Sequence, residues 1–218
     1  MEPSDDPGRI LLVDKPLHWT SFDVVNKLRH KLKTKKIGHA GTLDPLATGL
    51  LIICVGKMTK RIEEFMGQEK EYTGQFILGQ TTPSHDLETP VSEQQDVSHI
   101  TPEMIYKTSA IFLGNIQQLP PQHSAIRIQG KRAYEFARAG KEIALTAREV
   151  TVNAFEIEQI NLPEVRFRVV CSKGTYIRSL VRDFGEHLKV GAYLSALCRT
   201  RIGNFKLEDA VSIDQIQV

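Results

Sequence analysis

Hydrophobic and polar positions along this chain follow two periods, and the switches between them predict its elements. Residues 9–14 read as a strand, and the uninterrupted run Leu50, Leu51, Ile52, Ile53, Cys54, Val55, closed by Gly56, reads as a buried strand. Between them the period lengthens. Val24, Val25, Leu28 and Leu32 share one face of a helix over 21–32, with Thr20 and Asp23 at capping-box spacing. A short helix over 59–66 is ended by Gly67, and β-forming residues at 72–78 predict another strand. Residues 81–98 have no period, many polar side chains and two prolines, which predicts a surface loop or insertion. Thr101 then caps a helix that carries Pro102 at its first position and Glu103 in its first turn, with Gly114 beyond its end. A short helix at 131–139, strands at 150–160 and 165–172 joined by a turn at 161–163, and a helix at 176–188 complete the pattern. Strand pairs with short turns, mixed with unevenly spaced helices, predict an α+β fold rather than repeated βαβ units.

Length and composition narrow the class without identifying it. At 218 residues and 41% hydrophobic, the chain can bury one core holding about 70% of its unfolded surface. No apolar run approaches the roughly 18 residues of a membrane span, and the charged segment 1–8 is no signal peptide. A soluble, cytoplasmic protein with a flexible N-terminus at 1–8 is expected. Cys54, Cys171 and Cys198 lie far apart, which suggests neither a disulfide framework nor a zinc site.

Net charge is only +2, but it is segregated. Residues 31–61 hold seven Lys or Arg (31, 33, 35, 36, 57, 60 and 61) against one acid, Asp44. Residues 82–103 hold five acids and no Lys or Arg. Such a run is either a solvated face or the footprint of a polyanion, and the lone carboxylate among cations suits a phosphate-rich ligand.

That carboxylate stands in the stretch 38–51, G-H-A-G-T-L-D-P-L-A-T-G-L-L. Gly38, Gly41 and Gly49 permit positive φ or close approach of another segment, and Pro45 pushes Asp44 out of the helical region. Asp44 is thus presented from a turn just before a core strand. On the residues alone it is either a turn-capping aspartate or a functional carboxylate on a rigid scaffold.

In this form the stretch resembles the signature of the pseudouridine synthases, and specifically of the TruB family. Further matches keep the family's order from about 9 to 205: Asp14, Lys15 and Pro16 with Thr20 and Ser21; Lys70, Tyr72, Leu78 and Gly79; Pro120, Pro121, Ser124 and Ala125; Gly130, Lys131, Tyr134, Ala137 and Arg138; C-S-K-G-T-Y-I-R-S-L at 171–180; and Leu197, Arg199, Arg201 and Gly203. The resemblance implies a pseudouridine synthase fold: a mixed, mainly antiparallel, curved sheet with flanking helices and loops around an RNA-binding cleft. The catalytic domain would span 9–205, with 81–100 as an insertion loop. Many members carry a PUA-type RNA-binding domain where this chain has the short segment 206–218.

The activity implied is isomerisation of uridine 55 in the T loop of tRNA, by base flipping, cleavage of the glycosidic bond and rejoining of C5 to C1′. The implied partner is the T arm stem-loop of tRNA, bound by a monomer with no cofactor, metal or membrane. By resemblance, Asp44 is the catalytic carboxylate, Arg178 pairs with it, and Tyr72 stacks on the base and takes the C5 proton. Tyr176 and Leu197 would line the uracil pocket, and His39 would fill the space the flipped nucleotide leaves. Lys15 and Lys131 would touch phosphates, while Arg199 and Arg201 read as structural or rim charges. Whether Asp44 attacks C1′, attacks C6 or removes the 2′ proton is open in the sequence.

Three departures affect loops. His18 stands where glycine is common in the family, Pro83 replaces the first aspartate of a T-D-T-x-D pattern, and His123 replaces a frequent aromatic. Two other function classes compete: an idle RNA-binding protein on the same scaffold, and a nucleotide-handling enzyme with a phosphate-cradling loop. The second lacks both the Lys-Ser/Thr pair of a P-loop and a G-x-G-x-x-G.

Overall fold

The apolar run forms the middle of β3 (Ala47–Val55), and its two faces organise the first of two compact units. The computed structural model describes residues 8–124, 127–128, 131–141 and 143–217, with 127, 128, 131, 132, 134, 137 and 138 described by backbone alone. Unit 1 comprises the chain up to Thr73 and from Leu197 onward, and unit 2 comprises Gly74–Ala196.

In unit 1, β3 pairs antiparallel with β1 (Arg9–Lys15). Successive side chains of a strand point to opposite faces, so Leu51, Ile53 and Val55 pack with Val13, Ile37 and α1 (Ser21–Lys31), while Leu50, Ile52 and Cys54 pack with Ala40, Phe65 and Ile202. A strand covered on both faces needs no polar alternation, hence the unbroken apolar run. The helix α1 buries Val24, Val25 and Leu28, and its capping box is complete: Thr20 Oγ1 accepts from the Asp23 amide at 3.0 Å and Asp23 Oδ2 from the Thr20 amide at 2.8 Å. Three further elements of this unit are β2 (Ile37–His39), antiparallel to the far end of β3; α2 (Ile62–Met66), entered through a 3-10 turn at Gly56–Arg61; and β4 (Lys70–Leu78), which continues into unit 2. Ile213 and Ile216, in the segment expected to be a bare extension, pack into the α1 side of this core.

Unit 2 holds α3 (Pro102–Ile111), β5 (Gly114–Gln118), the small pair β6 (Arg127–Ile128) and β7 (Lys131–Arg132), α4 (Ala133–Arg138), the antiparallel hairpin β8 (Arg148–Asn161) and β9 (Glu164–Cys171), α5 (Ile177–His187), and the first part of β10 (Ala192–Ile202). Strands here run in the order β10–β4–β9–β8–β5, and those of unit 1 in the order β1–β3–β10–β4 with β11 (Phe205–Lys206) beside β10. The core of unit 2 is aromatic: Phe184 lies 5.0 Å from Phe76, 5.6 Å from Phe155 and 6.2 Å from Phe112 between ring centroids. Of the strand pairs with a defined register, one is parallel, β3 with β10, and the others are antiparallel, which is the expected mixed α+β sheet.

The sequence pattern departs from this architecture at four places. Strands β2, β5, β6, β7, β10 and β11 were not predicted, and β10 interleaves Ser, Arg and Thr with its apolar residues. The helix expected at 131–139 starts two residues later, after β7. Gly67 ends α2 at φ −70°, so no left-handed cap is used there. Within the presumed surface loop 81–98, Thr82, Ser84 and Asp86 are buried. Residues 1–7 of the expected flexible N-terminus lie outside the described residues.

Candidate active site

Asp44 is half-buried at the mouth of β3, on a loop whose carbonyls are all engaged from Gly41 to Pro45. Arg199 Nη2 donates to Gly41 O at 3.2 Å and Nη1 to Thr42 O at 3.4 Å. Ser21 Oγ, at the start of α1, donates to Leu43 O at 3.2 Å and accepts from the Leu43 amide at 2.8 Å. The Ala47 amide donates to Asp44 O at 3.0 Å, closing the turn that Pro45 initiates. Pro45 O accepts from the His18 amide at 2.8 Å and from Lys15 Nζ at 3.4 Å. A loop with its polar backbone so fully tied presents its carboxylate in one orientation. His18 makes its contact at φ 65°, in the left-handed region that favours glycine.

Lys15 corrects the sequence reading. Its side chain is fully buried and its ammonium donates to Trp19 O at 2.6 Å and Pro16 O at 2.9 Å besides Pro45, so it holds the turn from beneath and is not available to a phosphate. Burial pulls its pKa from 10.5 down to about 8, against the opposing pull of the Asp44 carboxylate, while Arg199 reinforces the lowering and Asp14 and Asp23 oppose it. In the window between those two values the unfolded chain binds more protons than the folded one, so through this group the fold gains stability as pH rises. Chemical denaturation of the wild type and of Lys15→Met across that window will show the wild type gaining on the variant with rising pH. A constant difference would mean that the folded-state pKa of Lys15 is not depressed.

Three other expected site residues belong to unit 1. Tyr72, on β4, is 9% exposed, and His39 is the half-buried last residue of β2. Leu197, half-buried, is in register with Ala47 across the parallel β3–β10 pair, which sets it beside the mouth of β3.

Arg178 and Tyr176 belong to unit 2. Arg178 is 3% exposed, and its Nη2 donates to His123 O at 2.9 Å and its Nη1 to Ser84 O at 3.2 Å, with Asp86 Oδ2 at 3.5 Å. The buried part of loop 81–98 thus contacts this guanidinium through Ser84 O and the Asp86 carboxylate. Asp86 closes its own turn by accepting from the Glu88 amide at 2.9 Å, and its carbonyl takes the hydroxyls of Thr82 and Ser84. Beside it, burial, reinforced by Arg182, Arg178 and His123, lowers the His85 pKa to about 4, so this imidazole is neutral at physiological pH. Tyr176 caps α5, its amide and carbonyl both bonded to the side chain of Gln118. The side chain of Lys131 lies outside the described residues. Ser21, Ser84 and Asp86 were not foreseen as site residues, nor was the part Arg199 plays in the loop. The signal available for Asp86 was its place at the end of the T-x-x-x-D stretch, and for Arg199 the L-C-R-T stretch.

Among the described residues no group of three or more His, Cys, Asp or Glu is arranged to hold a metal, and no helix is long and apolar enough to cross a membrane.

Known proteins resemble this chain over most of its length. A protein of Flavobacterium johnsoniae named tRNA pseudouridine synthase B is 54% identical over 213 residues, covering 94% of this chain and 93% of its own length. Among solved structures, one titled "Crystal Structure of a Cbf5-Nop10-Gar1 Complex" superposes with a TM-score of 0.73 at 32% identity, covering 95% of this chain and 54% of that one. Another, titled "Structure of H/ACA RNP bound to a substrate RNA containing 2'-deoxyuridine", gives 0.70 at 30% identity, covering 95% and 51%; this chain spans about half the length of either. The profile described as tRNA pseudouridylate synthase B C-terminal domain matches residues 178–218. The profile described as TruB family pseudouridylate synthase (N terminal domain) matches residues 29–177, and the chain belongs to the TruB family of pseudouridylate synthases.

Proposed function

We propose that this protein isomerises uridine to pseudouridine in tRNA, at position 55 of the T loop, acting as a monomer on a nucleotide flipped out of its stack. The observation that carries the reading is Asp44, a carboxylate on a loop whose carbonyls are tied down from Gly41 to Pro45. Membership of the family and a relative of nearly the same length named tRNA pseudouridine synthase B support the substrate class.

The reaction breaks the bond from C1′ to N1, turns the uracil and joins C5 to C1′. C5 loses its proton and N1 gains one, so atoms balance with no redox change, and no cofactor or metal is part of this reading. An ionised carboxylate serves each of the three possible routes: as nucleophile at C1′, as nucleophile at C6, or as base for the 2′ proton. Lys15 beneath the loop is electrostatically attracted to the Asp44 carboxylate. Arg178 is proposed as the cation of the reaction, and Tyr72 as the group that stacks on the base and accepts the C5 proton. Leu197, Tyr176 and His39 keep the pocket and T-loop roles implied by the resemblance. Reaching C1′ requires extrusion of the nucleotide, because a stacked base shields it.

Exposed Lys33, Lys35 and Lys36 offer phosphate contacts, and the Gly56 amide bonded to Lys36 O brings Lys57 to the same edge. Binding will therefore weaken steeply with salt.

A T arm stem-loop carrying tritium at C5 of the target uridine tests the reaction, since joining C5 to C1′ displaces that hydrogen into water. Purified protein alone will release the label with one pseudouridine formed per tritium. Release without pseudouridine, or no release from stem-loop or whole tRNA, would contradict the reading. In the same assay Tyr72→Phe will slow turnover by about 10²-fold while RNA affinity stays within a few fold, the scale of a lost general base. Full turnover in that variant would remove Tyr72 from the proton transfer.

A further inference from the structure

In the pairing registers Lys15 of β1 stands opposite Gly49 on one side and Arg199 of β10 stands opposite it on the other. Gly49 is at φ 98°, and a Cβ there would lie 2.4 Å from Arg199 O and 2.8 Å from Arg199 N, so only glycine lets β10 come this close. The closeness brings the Arg199 side chain, 1% exposed, under the Asp44 loop. Its guanidinium then spans the loop: Nη2 and Nη1 hold Gly41 O and Thr42 O at the loop's start, and Nε holds Leu50 O at 2.8 Å beyond its end. Among the described residues no carboxylate is paired with it. A buried cation satisfied by carbonyls alone is an expensive way to stabilise a fold, and an apolar side chain would fill the space at less cost.

We propose that Arg199 is a positioning residue for the reaction, its buried guanidinium fixing Gly41 and Thr42 at the start of the Asp44 loop and Leu50 beyond its end so that Asp44 meets the substrate in productive geometry. This rests on the functional reading above. Only the planar fork of arginine can hold three carbonyls from two separate stretches of chain, whereas the single ammonium of lysine cannot. Arg199 touches no substrate and acts through the loop.

The test is the single-turnover rate with enzyme in saturating excess over a T arm stem-loop, for wild type, Arg199→Lys and Arg199→Met. This rate is insensitive to any inactive fraction of enzyme, so a loss of folded protein alone does not move it. Expected are RNA affinities within about threefold of wild type, with rates down roughly tenfold for the lysine variant and about a hundredfold for the methionine variant, the scale of a catalytic group misplaced by about 1 Å. If Arg199→Met fails to fold, Arg199→Lys decides the matter. A folded variant with wild-type rate would overturn the proposal. So would a loss confined to RNA affinity, or failure of both variants to fold, which would make Arg199 a residue of folding. Absence of pseudouridine with the wild type itself would instead overturn the functional reading.

Discussion

Asp44→Ala will lose turnover by about 10⁴-fold or more while binding RNA within a few fold of wild type, the pattern of an enzyme deprived of a group that acts in the transition state. The loop is held through its backbone by Arg199, Ser21, His18, Ala47 and Lys15. The substitution takes away the carboxylate and leaves these backbone contacts to hold the loop. Asp44→Asn refines the test, because it keeps shape and hydrogen-bonding reach but abolishes charge. It too will be inactive if the ionised form does the chemistry. RNA affinity has no reason to fall in either variant, since a carboxylate near a polyanion is repelled by it. Appreciable turnover in either variant would remove Asp44 from the role.

Arg178→Met will lose both stability and turnover, and the two losses separate. Asp86 is 5% exposed and lies 3.5 Å from the guanidinium, so the substitution strands a buried carboxylate and takes the donors from Ser84 O and His123 O. Breaking a buried pair in this way costs about 3–5 kcal/mol, which denaturant unfolding will register. Removing the second charge relieves much of that cost, so Arg178→Met combined with Asp86→Leu will recover a large part of the stability. Turnover will stay low in the double variant if the arginine serves the reaction. Recovery of turnover together with stability would show that Arg178 serves only the fold of loop 81–98.

What the sequence made legible is what short-range rules govern. The capping box of Thr20 and Asp23, the Thr101 cap of α3 and the hairpin of β8 and β9 each depend on residues a few positions apart, and each forms where expected. The run 50–55 was legible because two-sided burial removes polar alternation. Strand β10 was not, because Arg199 occupies a buried strand position that the hydrophobic pattern reserves for apolar residues, and its reason lies some 150 residues away at Gly41 and Leu50. The same holds for Lys15, whose charge suggested a phosphate contact. Its fate was decided by the carbonyls of Pro16, Trp19 and Pro45, which no pattern along the chain discloses. Loop 81–98 read as surface because it is polar. Most of it is exposed as expected, but Thr82, Ser84 and Asp86 are buried, with Ser84 O and the Asp86 carboxylate facing Arg178, and composition alone does not distinguish those three from their solvated neighbours.

The most direct measurement of the central claim is nucleotide-resolution mapping of pseudouridine in a full-length unmodified tRNA transcript after incubation with the wild type, and in parallel with Asp44→Ala, with no cofactor added. The account predicts one pseudouridine, at uridine 55 of the T loop, with the wild type and none with the variant. Pseudouridine elsewhere, equal modification by both proteins, or an RNA bound tightly but left unmodified by the wild type would contradict it.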